Sequence, residues 1–424
     1  MQNILVVAPY VSLPGEPTFN RFLYLCYQWA KAYNVTLVTS SFCHFTKQQR
    51  DRNSPQLANL PFELVLIDEP GYRKNVSPAR ILSHRAFHRA FKIWFRRQFI
   101  GSAELGLKPG MKGARSPYDV VFSAFPLIST NLTIGKLKRQ FNYKFVIDVQ
   151  DIWPDSIFAV LPVLKKVDFL LAPLRNKAHK AYSYADGLVA VSETYLQVAR
   201  RLCPQTAGFV TYLGSDYQLI ESIAPQPLPA DKVRLVYLGT LSRSYDLATV
   251  IQGFNQLSAD FGAAELHILG DGPERERLEA IAGDRVFFHG YLPYEEMVAF
   301  VKACDFFVNS IARSATQSIT NKLSDYMALG LPILSSQQNP EAKALIQKRG
   351  GYFFEPGSSE SFTQAAAQAL SARTPALTAA STSGTALGRS DSAVRRVPDS
   401  IDFLFDRRIA YPKMTEFVEK ICAT

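Results

Sequence analysis

Short apolar runs separated by amphipathic stretches recur along most of the chain. In the first half they are Ile4–Ala8, Val35–Thr39, Phe62–Ile67, Val120–Phe125, Phe145–Val149 and Leu188–Val191. Their length and β-branched content predict strands buried on both faces of a parallel sheet. Between them, Asn20 to Tyr33 and Ala172 to Tyr184 carry helical spacing. The second half repeats the theme with Leu235–Leu238, Leu266–Leu269, Val286–Phe288, Phe306–Val308, Ile333–Leu334 and Tyr352–Phe354. Most of these runs stop at a Gly or Ser where a helix must begin: Gly239, Gly270, Gly290, Ser310 and Ser335. Alternation of this kind predicts an α/β protein with doubly wound, Rossmann-like sheets. Ligands bind such sheets at the carboxyl ends of the strands.

At 424 residues the chain calls for two cores rather than one. The boundary falls near Pro204 to Ser215, giving an N-terminal domain over 1–207 and a C-terminal domain over 208–370. From Ser371 to Ser400 the composition shifts to Ala, Ser, Thr, Gly and Pro without an aromatic residue. Such a stretch buries too little apolar area to offset its ordering entropy, so 371–402 reads as a flexible insert. Phe403 to Phe405 and the spacing of Met414, Phe417, Val418 and Ile421 then predict a closing helix over 403–424 that returns to the N-terminal domain.

With 47% hydrophobic and 20% charged residues, the composition is that of a soluble globular protein. No stretch reaches the roughly 20 apolar residues of a membrane-spanning helix. The N-terminus lacks the basic flank and long apolar core of a secretory signal. Five cysteines without CxxC spacing argue for reduced thiols in a cytoplasm and against a disulfide scaffold or zinc site.

Charge is distributed unevenly. The chain has 47 basic and 37 acidic residues, a net +10. Residues 73–117 hold eleven Lys/Arg and one acid, Glu104, so the rest of the chain is neutral. Nucleic-acid binding usually spreads basic charge along a face, and this concentration argues against it. Within Ala79 to Phe99, the residues Phe87, Phe91, Trp94, Phe95 and Phe99 share one helical face, while Arg85, Arg89, Lys92, Arg96 and Arg97 fill much of the remainder. A basic, aromatic amphipathic helix suits the headgroup layer of an anionic membrane; alternatively, its aromatic face packs on the domain's own sheet. His84 and His88, four apart, lack a third ligand for a metal.

The candidate chemistry lies mainly in the second half. Leu238-Gly239-Thr240-Leu241-Ser242-Arg243 is a strand entering a glycine turn with a cation beyond it. Ile268-Leu269-Gly270-Asp271-Gly272-Pro273-Glu274 is a second such turn, and the segment from Asn321 through Lys322 and Asp325 to Gly330 reads as a helix with a glycine stop. A diphosphate needs free backbone amides and fixed cations; helix starts beside glycines supply the first, and Arg or Lys the second.

These motifs, GTLSR, LGDGPE, FHGYLPYEEM and NKLSDYMALGLPILSS, together with YLGSD at Tyr212 to Asp216, resemble the nucleotide-binding half of family 4 retaining glycosyltransferases. Asp148-Val149-Gln150-Asp151-Ile152-Trp153-Pro154-Asp155-Ser156 is similar to the D-x-W-P-E-S signature of a bacterial subgroup that builds surface polysaccharides and includes N-acetylfucosaminyltransferases. The resemblance spans about residues 1–370. It implies a GT-B fold, two Rossmann-like domains facing a cleft, and transfer from a nucleotide sugar, UDP-linked by default, with retained configuration. It implies no metal or other cofactor, and the chain has no Asp-x-Asp motif or clustered His/Cys set. It assigns Arg243 and Lys322 to the diphosphate beside the amides of Ser318, Ile319, Thr320 and Asn321 and the turns at Gly239 and Gly270. Asp325 would hold the ribose and Gln317 the donor sugar. Asp151 has either an acceptor-side role or a capping role at the next helix.

Several positions depart from the family's pattern. Gln317 and Asp325 stand where two glutamates are common, so charge is lost at the first. Ser244-Tyr245-Asp246 replaces the usual Lys shortly after Arg243, which leaves Lys322 as the second cation. Gln150 stands where many members have His, and Pro14-Gly15-Glu16-Pro17 replaces a Gly-Gly loop. With the basic segment, the resemblance points to a lipid-linked, polyprenyl-diphosphate acceptor on the inner face of a bacterial membrane, the enzyme being cytoplasmic and peripheral. Two rival readings are a partner subunit with reduced chemistry and a nucleotide-sugar epimerase.

Overall fold

The computed structural model describes residues 1–16, 20–74, 77–100, 116–155, 169–315, 319–382 and 401–424. These fall into two compact units. One holds Met1–Asp155, the described residues up to Thr211, and Tyr411–Thr424; the other holds Tyr212–Ala410.

The first unit contains strands β1 (Asn3–Val7), β2 (Asn34–Ser40), β3 (Phe42–Cys43), β4 (Gln48–Gln49), β5 (Glu63–Ile67), β6 (Val120–Phe125), β7 (Lys144–Val149), β8 (Gly187–Ala190) and β9 (Ala207–Val210). Seven form a parallel sheet in the order β5-β2-β1-β6-β7-β8-β9, and β3 and β4 make a small antiparallel hairpin. The second unit contains β10 (Val233–Leu238), β11 (Ala264–Leu269), β12 (Val286–Gly290), β13 (Phe306–Asn309), β14 (Ile333–Ser335) and β15 (Tyr352–Phe353), all parallel, in the order β12-β11-β10-β13-β14-β15. In both sheets the order reverses beside the first strand, as in dinucleotide-binding folds. The doubly wound α/β class predicted from the apolar runs is present in each unit, and every run is a strand within two residues of its expected bounds. Helix starts follow side-chain chemistry. Asn20 accepts the Phe22 and Leu23 amides to open Arg21–Trp29, and Ser192 accepts that of Tyr195 to open Glu193–Arg200.

Where the units divide differs slightly from expectation. The half-exposed Ala207–Val210 adds a seventh strand beside β8, so the first unit runs to Thr211 rather than 207. The expected closing helix is divided. Asp402–Phe405 is a separate turn whose Phe405 is buried in the second unit, with Asp402 paired to Arg349. The helix Arg407–Ala423 follows, and from Tyr411 onward it packs in the first unit. Ser359–Thr382 runs helically into the segment expected to be a flexible insert, whose residues 383–400 lie outside the described set.

Arg21 organises the first unit's core. Its guanidinium lies 3.0 Å from the Asp148 carboxylate, donates to the Thr211 carbonyl at 2.6 Å, and sits 5.3 Å from the Tyr411 ring centroid. One buried cation thus ties β7 to the chain segments on either side of the second unit.

The helix Pro78–Ile100 buries the phenylalanines that were expected to face a membrane. Phe87, Phe91, Phe95 and Phe99 are at most 3% exposed; Phe95 meets Tyr143, and Phe99 stacks on Phe141 and Tyr143. These four phenylalanines are core, because parallel-sheet faces require an apolar cover, while Trp94 is half-buried. The opposite face is exposed and carries Arg85, Arg89, Lys92, Arg96 and Arg97 with Ile81, Leu82 and Ile93. Among the described residues, no helix is long and apolar enough to cross a membrane.

Candidate functional site

The second unit's topology reverses between β10 and β13, so its ligand crevice should open beyond Leu238 and Asn309. Tyr326 marks that point. Its hydroxyl accepts the Leu238 amide at 3.1 Å and donates to the Val308 carbonyl at 2.9 Å, while its ring stacks on Phe307 at 3.8 Å. The helix Asn321–Leu329 is therefore fastened where the two strands part. Its first turn, four residues before Tyr326, stands at the mouth.

Glycines bring the facing loops together. A Cβ on Gly270 would lie 2.0 Å from the Gly239 carbonyl oxygen, and one on Gly272 would lie 2.3 Å from that of Leu241. Gly239 and Gly270 also have φ of 126° and 134°, a region that L side chains rarely adopt. The Gly239 amide donates to Leu269 O and the Leu241 amide to Asp271 O, so the two turns form one double loop.

Lys322 extends to this double loop. Its ammonium is buried without a hydrogen-bond partner, 3.9 Å from the Tyr245 ring centroid and 4.4 Å from that of Tyr237. Its Cδ lies 3.7 Å from a Cβ placed on Gly239. Burial pushes the Lys322 ammonium down to about 7. Two aromatic faces stabilise a cation only partly, and a diphosphate would complete its contacts. Thr320 caps the helix, its hydroxyl accepting the Leu323 amide at 3.2 Å, with Ile319 buried before it. The amides of Asn321 and Lys322 belong to the unsatisfied first turn.

Arg243 is placed differently from Lys322. Its side chain is 90% exposed and pairs with Glu274 at 3.2 Å. Burial opposes ionisation of Glu274, but Arg277 and Arg243 outweigh it and hold the carboxyl below its usual range. Arg243, Tyr245, Asp246, Glu274 and Arg277 line a cavity of about 360 Å³. Tyr245 thus contacts Lys322 and also borders the cavity that Arg243 lines.

One turn along the helix, Asp325 accepts hydrogen bonds from Ser215 at 2.6 Å and Tyr294 at 3.3 Å, both on Oδ1. Burial raises its carboxyl, against the hydrogen bond from Ser215 and the charge of Arg407. Gln317 and Ser318 lie outside the described residues. Asp151 belongs to the first unit, just beyond β7, where Gln150 donates to Asp148 at 3.3 Å; residues 156–168, where a helix for it to cap was expected, lie outside the described residues. Among the described residues no His/Cys/Asp/Glu group is placed to hold a metal ion, and His84 bonds instead to Tyr10.

Sequence reasoning missed Tyr237, Tyr245, Tyr326, Ser215 and Tyr294. A Tyr at a strand end or in a helix resembles ordinary core. Only the placement of Tyr245 in the usual lysine position hinted at a role.

The chain is similar to known glycosyltransferases. The family described as Glycosyl transferases group 1 matches residues 232–372, which span the double loop and Asn321–Leu329. An uncharacterized glycosyltransferase of Methanocaldococcus jannaschii, MJ1069, is 24% identical over 160 residues; the match covers 36% of this chain and 40% of that protein. Among solved structures, Anabaena Alr3699/HepE in complex with UDP aligns over 99% of this chain and 100% of its own, at TM-score 0.62 and 14% identity. WaaG, a glycosyltransferase involved in lipopolysaccharide biosynthesis, aligns over 96% and 99% at TM-score 0.51 and 12% identity. Residues 232–372 are thus a glycosyltransferase group 1 domain, carried in a chain whose two parallel-sheet units match the GT-B fold.

Proposed function

We propose that this chain is a retaining, family 4-like glycosyltransferase that moves a sugar from a nucleotide sugar, UDP-linked by preference, to a lipid-linked acceptor in bacterial surface-polysaccharide synthesis. The observation that carries the reading is the Lys322 ammonium, buried and without a hydrogen-bond partner beside the glycine double loop. As the sugar–phosphate bond breaks, negative charge grows on the leaving diphosphate. A cation and amides already fixed there stabilise that charge without reorganising.

Each residue then has a task. Lys322 and the amides of Asn321 and Lys322 hold the diphosphate, with the amides of Ser318, Ile319 and Thr320 assigned to it as well. Arg243 exchanges Glu274 for phosphate oxygens from the rim. Asp325 keeps Oδ2 for a ribose hydroxyl while Ser215 and Tyr294 fix Oδ1. Gln317 serves the donor sugar, and Asp151 the acceptor side. HepE has been crystallised with UDP and with UDP-glucose, which supports UDP as the first nucleotide to try. The reaction as read needs no metal. The exposed cationic face of Pro78–Ile100 supports a peripheral enzyme at the cytoplasmic surface of the membrane, with its charges rather than its aromatic stripe making the contact. The group 1 domain does not favour the epimerase or the partner-subunit reading.

The test is UDP binding followed by transfer. UDP should raise the melting temperature of the wild-type protein, and Lys322→Met should remove that shift. Arg243→Ala should lower the transfer rate by about 10²–10³ from a panel of nucleotide sugars to a polyprenyl-linked extract. A full UDP shift in Lys322→Met would end the proposal.

A further inference from the structure

The first unit has its own concentration of basic groups at the carboxyl ends of β1, β2 and β5. Tyr10 follows β1, His44 and Lys47 lie in the hairpin after β2, and Tyr72 follows β5; Arg80 and His84 are one turn apart on Pro78–Ile100. The Tyr10 hydroxyl meets His84 Nε2 at 2.7 Å, and the Tyr72 hydroxyl meets His44 Nδ1. The charge of Arg80 acts on both phenols, against the effect of their burial. The Tyr72 ring centroid lies 5.0 Å from the Lys47 ammonium and 5.7 Å from the Arg80 guanidinium. Two backbone features hold the arrangement. Gly71 has φ of 83°, and a Cβ there would lie 2.4 Å from the Phe42 ring, so glycine lets the chain carry Tyr72 inward. Lys47 itself has φ of 60°, rare for a residue with a side chain.

The chemistry of the cluster is unlike that of a structural ion-pair network. Its acid, Glu69, is buried and bonded to Ser40 at 2.6 Å and Ser83 at 2.7 Å. Phenols and imidazoles also lie against Arg80 and Lys47, and the Lys47 ammonium donates to the His44 carbonyl. Burial, reinforced by Lys47 and Arg80, pushes His44 down to about 4; burial and Arg80 do the same to His84. Cations gathered on neutral hydrogen-bonding groups at the ligand end of a parallel sheet are suited to a multiply charged anion. Phe45, against His44, and Ile81 and Leu82, next to Arg80 in the chain, are 49%, 57% and 61% exposed, apolar groups available to a chain leaving that anion.

We propose that Tyr10, His44, Lys47, Tyr72, Arg80 and His84 form an anion subsite for the phosphate or diphosphate group of the acceptor, with the prenyl chain passing over Phe45, Ile81 and Leu82. This rests on the transferase reading above and names the acceptor's recognition group. These are positioning residues; no bond forms or breaks at them.

The experiment is a titration in saturating UDP, which fills the donor site, using farnesyl diphosphate, farnesol and inorganic phosphate as probes. Farnesyl diphosphate should bind the wild-type protein at least about tenfold more tightly than farnesol or inorganic phosphate. Lys47→Gln, in the hairpin, and Arg80→Gln should each weaken it by about tenfold, with UDP affinity unchanged and farnesol indifferent. Inorganic phosphate binding as tightly as the lipid, through the same residues, would overturn the lipid as occupant. Unchanged farnesyl diphosphate affinity in Lys47→Gln with UDP binding intact would overturn the subsite. Failure of the wild-type protein to bind UDP would instead strike the donor reading.

Discussion

At the scale of single residues, Lys322 makes the proposed donor site sensitive to pH. The unfolded chain keeps this proton up to the ordinary lysine range near 10.5, whereas burial lowers the folded group to about 7. The stability cost of the buried charge is therefore full below pH 7 and is relieved as pH rises from there towards 10.5. Ligand binding runs the other way, because a diphosphate favours the charged lysine and draws a proton into the site. UDP affinity should fall by up to about tenfold per pH unit above neutrality, where UDP itself is fully ionised. Lys322→Arg, permanently charged, should bind with a flat profile if the tyrosine cage admits the larger head. Calorimetry at about pH 7.5 and 8.5 in two buffers would show the proton uptake, and its absence would remove the linkage. The sequence shows that Lys322 opens a helix beside glycine turns. It does not show the Tyr237 and Tyr245 faces that set its proton affinity, because their approach depends on a tertiary crossing of β10, the following loop and Asn321–Leu329.

At the scale of elements, the glycine double loop illustrates what local pattern conveys and what it omits. A strand followed by Gly is visible at both Gly239 and Gly270, but the contact between the two turns is not. Gly270→Ala would place a methyl 2.0 Å from a backbone oxygen and strain a φ of 134°. It should destabilise the protein by about 1–3 kcal/mol from the backbone strain alone and reduce UDP binding. Chemical denaturation and a UDP titration would check this, and wild-type behaviour in both would show that the loops are free to separate. Pro78–Ile100 shows the complementary case. Periodicity finds its two faces, yet the aromatic face alone cannot say whether lipid or the protein's own Phe141 and Tyr143 will cover it. Sheet coverage decided in favour of the core.

At the scale of the whole molecule, the order of apolar runs anticipated both sheets, since buried parallel strands leave a strong one-dimensional signal. The half-exposed β9 and the short β3–β4 hairpin left none. The charge distribution adds a property that neither sheet contains. The net +10 equals the excess within residues 73–117, and five of those cations stand on the exposed face of Pro78–Ile100 with three aliphatic side chains. Each cation near an anionic surface contributes on the order of 1 kcal/mol at low salt, so five suffice for reversible adsorption and salt should abolish it. Phosphatidylglycerol vesicles should therefore sediment the protein at low ionic strength, and phosphatidylcholine vesicles should not. Arg89→Glu, Arg96→Glu and Arg97→Glu together should release it while leaving the melting temperature nearly unchanged, because these side chains point away from the Phe87–Phe99 core. If the triple variant still sedimented with anionic vesicles, the attachment would have to come from another surface. If the variant unfolded, those arginines would belong to the packing rather than to a face available to lipid.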